Sequence, residues 1–230
     1  MYGACEECKR MYTTTMWEEL LNMIFPERCI NCAKQGSLLC AICERTITTK
    51  PRALSGTTAV LFDYQNPLVK KAIWALKYHQ KKALGKYFGI ALYREFFKQL
   101  ARDNKKNSGE IILVPIPGSR KAKRMRGYNH AAIIAKAIAR CAEDDGLVVA
   151  VATDLLYKKR ENKQQAVVKG KSKRKENVEE IFAIRDGEHI HGKTIILIDD
   201  VITTGATIAA AKHALKAFGP KRILAIAVAH

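Results

Sequence analysis

The segment from Thr194 to Thr207, with the sequence TIILIDDVITTGAT, constrains the fold of this chain more than any other stretch. Its first five residues form a short apolar, β-branched run, which is typical of a buried strand. Asp199 and Asp200 come next, a hydroxyl-rich loop hinged on Gly205 follows, and Ile208–Phe218 predicts an alanine-rich helix. In open parallel sheets, ligands bind outside the carboxyl ends of strands. This order of elements therefore predicts a ligand site at the end of a buried strand.

The chemistry of the segment suits a phosphorylated sugar. A tight loop that enters a helix turns several backbone N–H groups toward one point, and the helix dipole favours an anion there. Two ionised carboxylates would repel a phosphate, so their expected partners are sugar hydroxyls, which donate hydrogen bonds to carboxylate oxygens. The alternative is an ordinary strand-to-helix turn with a capping aspartate, but such a turn needs no acidic pair before a TTGAT loop. The segment therefore predicts a site for a ribose 5-phosphate.

The same string resembles the phosphoribosyl pyrophosphate (PRPP) signature of type I phosphoribosyltransferases, in which two acidic residues follow a hydrophobic strand and precede TTG-x-T. The resemblance implies that the acids contact the ribose hydroxyls and that the loop contacts the 5-phosphate. Magnesium is expected with PRPP, held mainly by the ligand's own oxygens and by water. No residue is predicted as a general base. The predicted PRPP-binding residues are Asp199, Asp200, Thr203, Thr204, Gly205, Ala206 and Thr207.

A second motif consists of two CxxC pairs near the N-terminus, separated by seven residues. Each pair can present two thiolates from one tight turn, and two pairs complete a tetrahedral zinc site. With no ligand position left open, the zinc would be structural. Four reduced cysteines in a small loop are the alternative. The predicted ligands are Cys29, Cys32, Cys40 and Cys43, whereas Cys5 and Cys8 are interpreted as free thiols.

Strand-like and helix-like segments alternate along the rest of the chain, which predicts an α/β fold with a mainly parallel central sheet flanked by helices. The turn Asn66-Pro67 marks a helix start. That helix is predicted to bury a stripe formed by Val69, Ile73, Trp74 and Leu76, with Lys70, Lys71 and Lys77 outside it.

The pattern also predicts a domain organisation. We expect an N-terminal extension over residues 1–24, a four-cysteine zinc-binding element over 25–50 and a phosphoribosyltransferase-like domain over 57–230. Pro51–Gly56 is predicted to be a linker between the last two.

The chain is strongly basic, with Lys+Arg 40 against Asp+Glu 22 and a formal net charge of +18. Such a balance favours polyanionic partners, namely nucleic acid or phosphate-rich substrates, although a solvated basic surface is the simpler alternative. The charge is concentrated in two segments. Gly118–Asn129 carries five basic residues, and Lys158–Lys175 carries nine against one acid. The longer segment is predicted to close over a polyphosphate, to follow a nucleic-acid backbone, or to be a mobile solvated loop.

From about Phe25 to the C-terminus, the chain resembles the ComF family of competence-associated, phosphoribosyltransferase-like proteins. The resemblance rests on the four cysteines, on FDYQNPLVKKAIWALKY, on VPIPGSRKAKRMRGYN, on Lys158–Val178 and on the PRPP motif. His130 stands where the family pattern has glutamine. The resemblance implies a pyrophosphate loop with Ser119 and Arg120, and a flexible loop with Arg160, Gln165, Arg174 and Asn177.

The family resemblance also implies a function in handling DNA taken up during natural transformation. We therefore predict a PRPP-binding phosphoribosyltransferase-family protein, with single-stranded DNA and DNA-uptake or recombination proteins as partners. One alternative is a non-catalytic nucleic-acid-binding competence factor with a regulatory or vestigial PRPP site. Others are a nucleobase-salvage phosphoribosyltransferase and a zinc-organised interaction module.

A cytoplasmic location without membrane insertion is expected from the sequence. No apolar run approaches the roughly 18 residues that a membrane-spanning helix needs. The N-terminal sequence MYGACEECKR has charges and cysteines where a signal peptide has an apolar core.

Overall fold

The computed structural model of the chain describes residues 27–97, 110–118, 124, 127–159 and 181–230. Its centre is a six-stranded sheet with the strand order β1-β2-β8-β7-β3-β4. All neighbouring strands are parallel except β1 and β2, which form an antiparallel pair at one edge. The strands are β1 (Arg52–Ser55), β2 (Thr58–Phe62), β3 (Ile111–Pro115), β4 (Val149–Val151), β7 (Thr194–Val201) and β8 (Arg222–Ala229). A separate antiparallel ribbon consists of β5 (Leu156–Lys158) and β6 (Phe182–Ile184).

Helices cover both faces of this sheet. In the described residues they are α1 (Ala41–Thr46), α2 (Pro67–Tyr78), α3 (Lys82–Leu92), α4 (His130–Asp144) and α5 (Ala206–Lys216). A π-helical turn, Tyr93–Phe97, continues α3, and a 3-10 turn spans Gly187–Ile190. The mainly parallel sheet with helices on both faces confirms the predicted α/β fold class.

The strand β7 separates two apolar clusters because successive side chains of a strand point to opposite faces. Ile196 and Ile198 belong to the cluster that contains the buried residues of α2, α3 and α4. Ile195 and Leu197 belong to the other cluster, which contains the buried residues of α5. The two faces of β7 therefore contact different helices, which matters for the acids at its end.

Two glycines allow α3 to approach α4 closely. A Cβ atom on Gly89 would lie 2.5 Å from the Cβ of Ala137 and 2.7 Å from the carbonyl oxygen of Ile134. On Gly85 it would lie 2.8 Å from a methyl carbon of Ile133. Real Cβ contacts do not come so close, so these two positions set the distance between the helices. The packing fixes α4, whose first residue is His130.

Three details differ from the sequence-based expectations. Arg52–Ser55, predicted as part of a linker, is an edge strand, because it pairs with β2 across a short turn. Strand β7 extends past Ile198 to Val201, because its last residues pair with β8. Trp74, predicted on the buried stripe of α2, is 54% exposed.

The cysteine-rich segment packs against the main domain. Cys29, Leu38 and Ile47 lie in the same apolar cluster as Leu61 and Phe62 of β2. The proposed boundaries at residues 24, 50 and 57 remain predictions. Within the described ranges, no helix is long and apolar enough to cross a membrane.

Candidate functional site

The predicted PRPP loop lies at the carboxyl edge of the central strands. Pro115 at the end of β3 is the register partner of Ile198 in β7, and the N–H of Ile116 donates to the carbonyl of Ile198 at 2.9 Å. On the other side, Val201 pairs with Ala229 at the end of β8. Three parallel strands therefore end side by side, in the arrangement that forms ligand sites in open α/β sheets.

The loop between β7 and α5 has a backbone suited to anion binding. Gly205 adopts a left-handed conformation (φ 77°), which suits a residue without a Cβ atom. The N–H of Ala206 is 3.4 Å from the hydroxyl of Thr204, and Ile208 anchors the helix by burial. The first N–H groups of an α-helix lack intrahelical acceptors, so they can bind an anion. The exposed loop residues are Thr203, Thr204, Ala206 and Thr207.

Asp199 has an unusually high pKa. Its carboxylate accepts a hydrogen bond from the backbone N–H of Asp200 at 2.8 Å. Burial and the negative charge of Asp200 raise the pKa of Asp199 to about 7, against the lowering effects of that N–H, Lys77 and Lys158. The surroundings of Asp199 do little to stabilise its ionised form, so its carboxylate oxygens can accept hydrogen bonds from a ligand.

Asp200 has partners within the protein. Its Oδ1 lies 2.7 Å from Nζ of Lys77, and its Oδ2 lies 3.4 Å from Nδ1 of His130. Burial raises the pKa of Asp200, but the hydrogen bond from His130 and the charge of Lys77 outweigh that effect, so the pKa lies below its usual value. The two neighbouring acids are therefore not equivalent.

The segment before α4 brings these partners together. The hydroxyl of Tyr128 donates to the carbonyl of Leu76 in α2 at 2.8 Å. The Asn129 side chain caps α4 by accepting from the N–H of Ala131 at 3.1 Å, and it donates to the carbonyl of Ile116 at 3.0 Å. This segment thus connects the ends of α2, α4 and β3. It holds His130 beside Asp200.

Lys77 lies at the site, although the sequence does not predict it there. The pattern places Lys77 outside the apolar stripe of α2, and its side chain is 25% exposed and contacts Asp200. Its sequence position, in the last turn of the helix after an apolar stripe, does not predict that contact. His130 could have been found, because it departs from the family pattern just after Asn129.

Several predicted site residues lie outside the described residues. They are Ser119 and Arg120 of the pyrophosphate loop, Arg160, Gln165, Arg174 and Asn177 of the flexible loop, and the thiols of Cys5 and Cys8. Their placement therefore stays a prediction, and only the flanks of these segments are described. Gly118 follows the carboxyl end of β3, and Lys158, whose charge lowers the pKa of Asp199, ends β5.

The four predicted zinc ligands come together as one cluster. The sulfur atoms of Cys29, Cys32, Cys40 and Cys43 all lie within 4.8 Å of one another. Cys32 and Cys40 have a sulfur–sulfur distance of 3.6 Å. Tetrahedral zinc with Zn–S bonds of about 2.3 Å places its sulfurs roughly 3.8 Å apart. The cluster therefore fits a zinc ion.

The electrostatics of the cysteines also favour a bound cation. Burial opposes ionisation of Cys29, but the backbone N–H groups of Cys32, Cys40 and Asn31 lower its pKa to about 6. The Asn31 amide lowers the pKa of Cys43, but burial and the other three sulfurs raise it to about 11. Four thiolates at this distance repel one another, and a divalent cation removes that repulsion.

A comparison with known protein families finds a match that spans this edge of the sheet. A family described as the phosphoribosyl transferase domain matches residues 90–230, which is more than half of the chain and includes β3, β7, the loop and α5. Among curated proteins, none matches the chain significantly.

Solved structures of several phosphoribosyltransferases are similar to the chain. An HGPRT-ase of Leishmania tarentolae in complex with GMP is 14% identical and covers 64% of this chain and 65% of its own, with a TM-score of 0.37. The hypoxanthine-guanine phosphoribosyl transferase of L. donovani is 12% identical over 64% of this chain and 67% of its own, with a TM-score of 0.41. A hypoxanthine phosphoribosyltransferase of Staphylococcus aureus is 13% identical over 62% of both chains, with a TM-score of 0.38. The chain thus spans about two thirds of the length of these proteins.

Proposed function

Because the chain belongs to the phosphoribosyl transferase domain family, we propose that it binds PRPP at the carboxyl edge of β7 and transfers the phosphoribosyl group. The observation that carries this proposal is the pairing of Asp199 with an exposed, glycine-hinged loop at the start of α5. One part of this site offers acceptors for sugar hydroxyls, and the other offers N–H and hydroxyl donors for a phosphate.

The proposed mechanism relies on positioning and electrostatics. During transfer, the anomeric carbon of PRPP loses pyrophosphate while a nucleophile attacks, so positive charge develops on the ribose and negative charge on the leaving group. Ionised Asp199 would hold the ribose hydroxyls, and Thr203–Thr207 would hold the 5-phosphate. Ser119 and Arg120 are the predicted contacts to the pyrophosphate. Magnesium, when bound with the ligand, supplies positive charge to the leaving group.

Asp200 would act through its protein partners. Its ion pair with Lys77 holds the end of β7 against α2, and its contact with His130 holds it against α4. We propose that these contacts position Asp200 beside the ribose, where one of its oxygens can exchange partners when PRPP binds. A role of this kind makes Lys77 and His130 positioning residues.

Titration calorimetry with PRPP and magnesium tests the proposal. The full chain is expected to bind PRPP, and Asp199→Asn is expected to weaken binding at least tenfold. Asp186→Asn is the matched control, because Asp186 is exposed and its left-handed backbone conformation (φ 51°) suits asparagine. Absence of binding by the unaltered chain would refute the proposal. Equal binding by Asp199→Asn would refute the role of that residue.

We further propose that the protein belongs to the ComF type, with single-stranded DNA as a partner. The zinc-compatible cysteine cluster and the net charge of +18 support this finer assignment. Binding to an oligothymidylate should weaken steeply with salt, since Lys and Arg release counterions from the phosphates. A negligible salt response would contradict the assignment.

A pyrophosphate-release assay separates a transferase from a non-catalytic binder. The assay supplies PRPP with free bases, nucleotides or single-stranded DNA as acceptors. A transferase releases pyrophosphate with one of these acceptors, and the release disappears in Asp199→Asn. PRPP binding without any release would favour the alternative of a regulatory or vestigial site.

A further inference from the structure

Helix α2 exposes a contiguous group of aromatic side chains. Trp74 is 54% exposed and Tyr78 is 58% exposed. Their ring centroids are 5.6 Å apart, and the ring of His79 lies 4.5 Å from that of Trp74. We refer to Trp74, Tyr78 and His79 as the aromatic face.

The buried residues of α2 lie on a different side of the helix from this face. Helix α2 is already anchored by its opposite side, where six apolar residues are buried. Trp74 and Tyr78 lie one turn apart on the exposed side and are not among those six buried residues. Adjacent, exposed aromatic rings are characteristic of interaction sites, because a tryptophan or tyrosine offers a large flat surface together with a polar group.

The charges around the aromatic face identify the class of partner. Between Tyr64 and Arg94 the sequence has six lysines, one arginine and no acidic residue. Lys70 and Lys71 are exposed on α2 itself, and Lys82 is exposed at the start of α3. A negatively charged partner that presents flat apolar groups would complement this face.

We propose that the aromatic face stacks on the bases of a single-stranded nucleic acid, while Lys70, Lys71 and Lys82 contact its phosphates. Single strands expose the faces of their bases, whereas a duplex buries them in its own stack. The inference rests on the proposed function, since it gives a surface to the proposed DNA partner. Each stacked base is held by its π-face, so little dependence on sequence is expected.

The same helix connects this surface to the PRPP site. Lys77 lies between Trp74 and Tyr78 in the sequence, and its Nζ contacts Asp200. A nucleic-acid strand bound on the aromatic face would therefore contact the same helix that contacts Asp200, one of the acids proposed to hold PRPP.

Fluorescence anisotropy with labelled dT20 tests the proposal on the full chain. The double variant Trp74→Ala/Tyr78→Ala is expected to bind dT20 about 10- to 100-fold more weakly, from the known contribution of stacked aromatic groups. Its binding to heparin, a polyanion without bases, is expected to be unchanged. Trp74→Phe/Tyr78→Phe keeps the rings and should retain most of the dT20 affinity. Lys70→Ala/Lys71→Ala should weaken binding to both ligands and reduce the salt dependence.

Tryptophan fluorescence gives a direct readout of stacking. The chain has two tryptophans, so Trp17→Phe leaves Trp74 as the sole emitter. Addition of dT20 is expected to quench its fluorescence, and addition of heparin is not. Quenching by rU20 is also expected, because stacking uses the face of the base, which single-stranded DNA and RNA both expose.

Two results would overturn the inference. One is equal dT20 affinity of the chain and its Trp74→Ala/Tyr78→Ala variant. The other is tight, Trp74-dependent binding of polyglutamate without binding of dT20, which would identify an acidic protein segment as the partner. PRPP calorimetry on the same samples separates this failure from failure of the proposed function. Binding of PRPP but not of dT20 would refute only the proposed nucleic-acid surface. Binding of neither ligand would refute that surface and the proposed function.

Discussion

Adjacent residues at the end of β7 have opposite electrostatic properties. Burial and the neighbouring charge raise the pKa of Asp199, whereas His130 and Lys77 outweigh burial and lower that of Asp200. The cause is the alternation of a strand, which directs one carboxylate toward α2 and α4 and the other away from them. The Asp–Asp pair therefore combines a carboxyl group of raised pKa with a carboxylate that the protein holds in an ion pair.

The pKa of Asp199 predicts a pH dependence of PRPP binding. Since this pKa is raised to about 7, the carboxyl group is mostly protonated below that pH and ionised above it. An ionised carboxylate is the better acceptor for ribose hydroxyls, so affinity should fall as the pH is lowered from about 8 to 6. Calorimetry across this range measures the effect.

Asp199→Asn provides the control for this prediction. The phosphates of PRPP titrate in the same way with both proteins, so the difference between the two pH profiles belongs to Asp199. Parallel profiles would contradict the raised pKa.

Removal of the lysine partner of Asp200 should destabilise the fold. Among the described residues, Lys77→Met leaves His130 as the remaining ionisable partner of a largely buried carboxylate. We expect a loss of roughly 1–3 kcal/mol in the free energy of unfolding, less than for a fully buried pair because Lys77 is partly exposed. Urea denaturation measures the change. Lys71→Met, an exposed position on the same helix, should leave stability within about 0.5 kcal/mol. Equal effects of the two variants would refute the ion pair.

Among the helices and strands, the sequence predicts local patterns better than it predicts long-range contacts. Strand β7, its loop and α5 follow one another directly, so periodicity and the glycine hinge predicted them together. The contact of Lys77 with Asp200 joins distant parts of the chain, and no local pattern encodes it. Trp74 was placed on the buried stripe because its hydrophobicity suits a core, yet the helix has enough apolar residues without it.

The packing of α3 against α4 predicts that Gly89→Ala is destabilising. The new Cβ would contact Ala137 and the backbone of Ile134 at distances that the two helices cannot accommodate without moving apart. Overpacking of this kind costs about 1–3 kcal/mol, measured by urea denaturation. Gly56→Ala is the matched control, since a Cβ there meets nothing within 4 Å. A stability equal to that of the control would show that the helices are not in close contact.

At the scale of the whole molecule, the cysteine cluster belongs to the main apolar core. Cys29 and Cys43 are buried with Leu61 and Phe62, so the cysteine cluster and the edge of the sheet share their packing. The sequence predicted the ligands from their spacing, but it predicted a separate element followed by a linker. The strand β1 that replaces this linker was missed because a four-residue edge strand has little periodicity of its own.

This shared core predicts that metal removal destabilises the whole domain. We expect about one zinc per chain by metal analysis, and a lower thermal midpoint after chelation or in Cys40→Ser. Cys141→Ser alters a buried thiol outside the cluster and should not change the zinc content. A metal-free chain with unchanged stability would contradict a structural zinc site.

The alternation of side chains along β7 has a practical consequence for genetics. Two neighbouring codons are expected to control different properties, since Asp199 is the residue that we propose to hold the ligand, while a change at Asp200 also breaks contacts within the fold. A cell that carries Asp199→Asn should therefore contain a normal amount of a folded protein that binds PRPP at least tenfold more weakly. A cell that carries Asp200→Asn should contain less folded protein and should also lose PRPP binding. Of the two alleles, Asp199→Asn is therefore the one that separates loss of PRPP binding from loss of the folded protein.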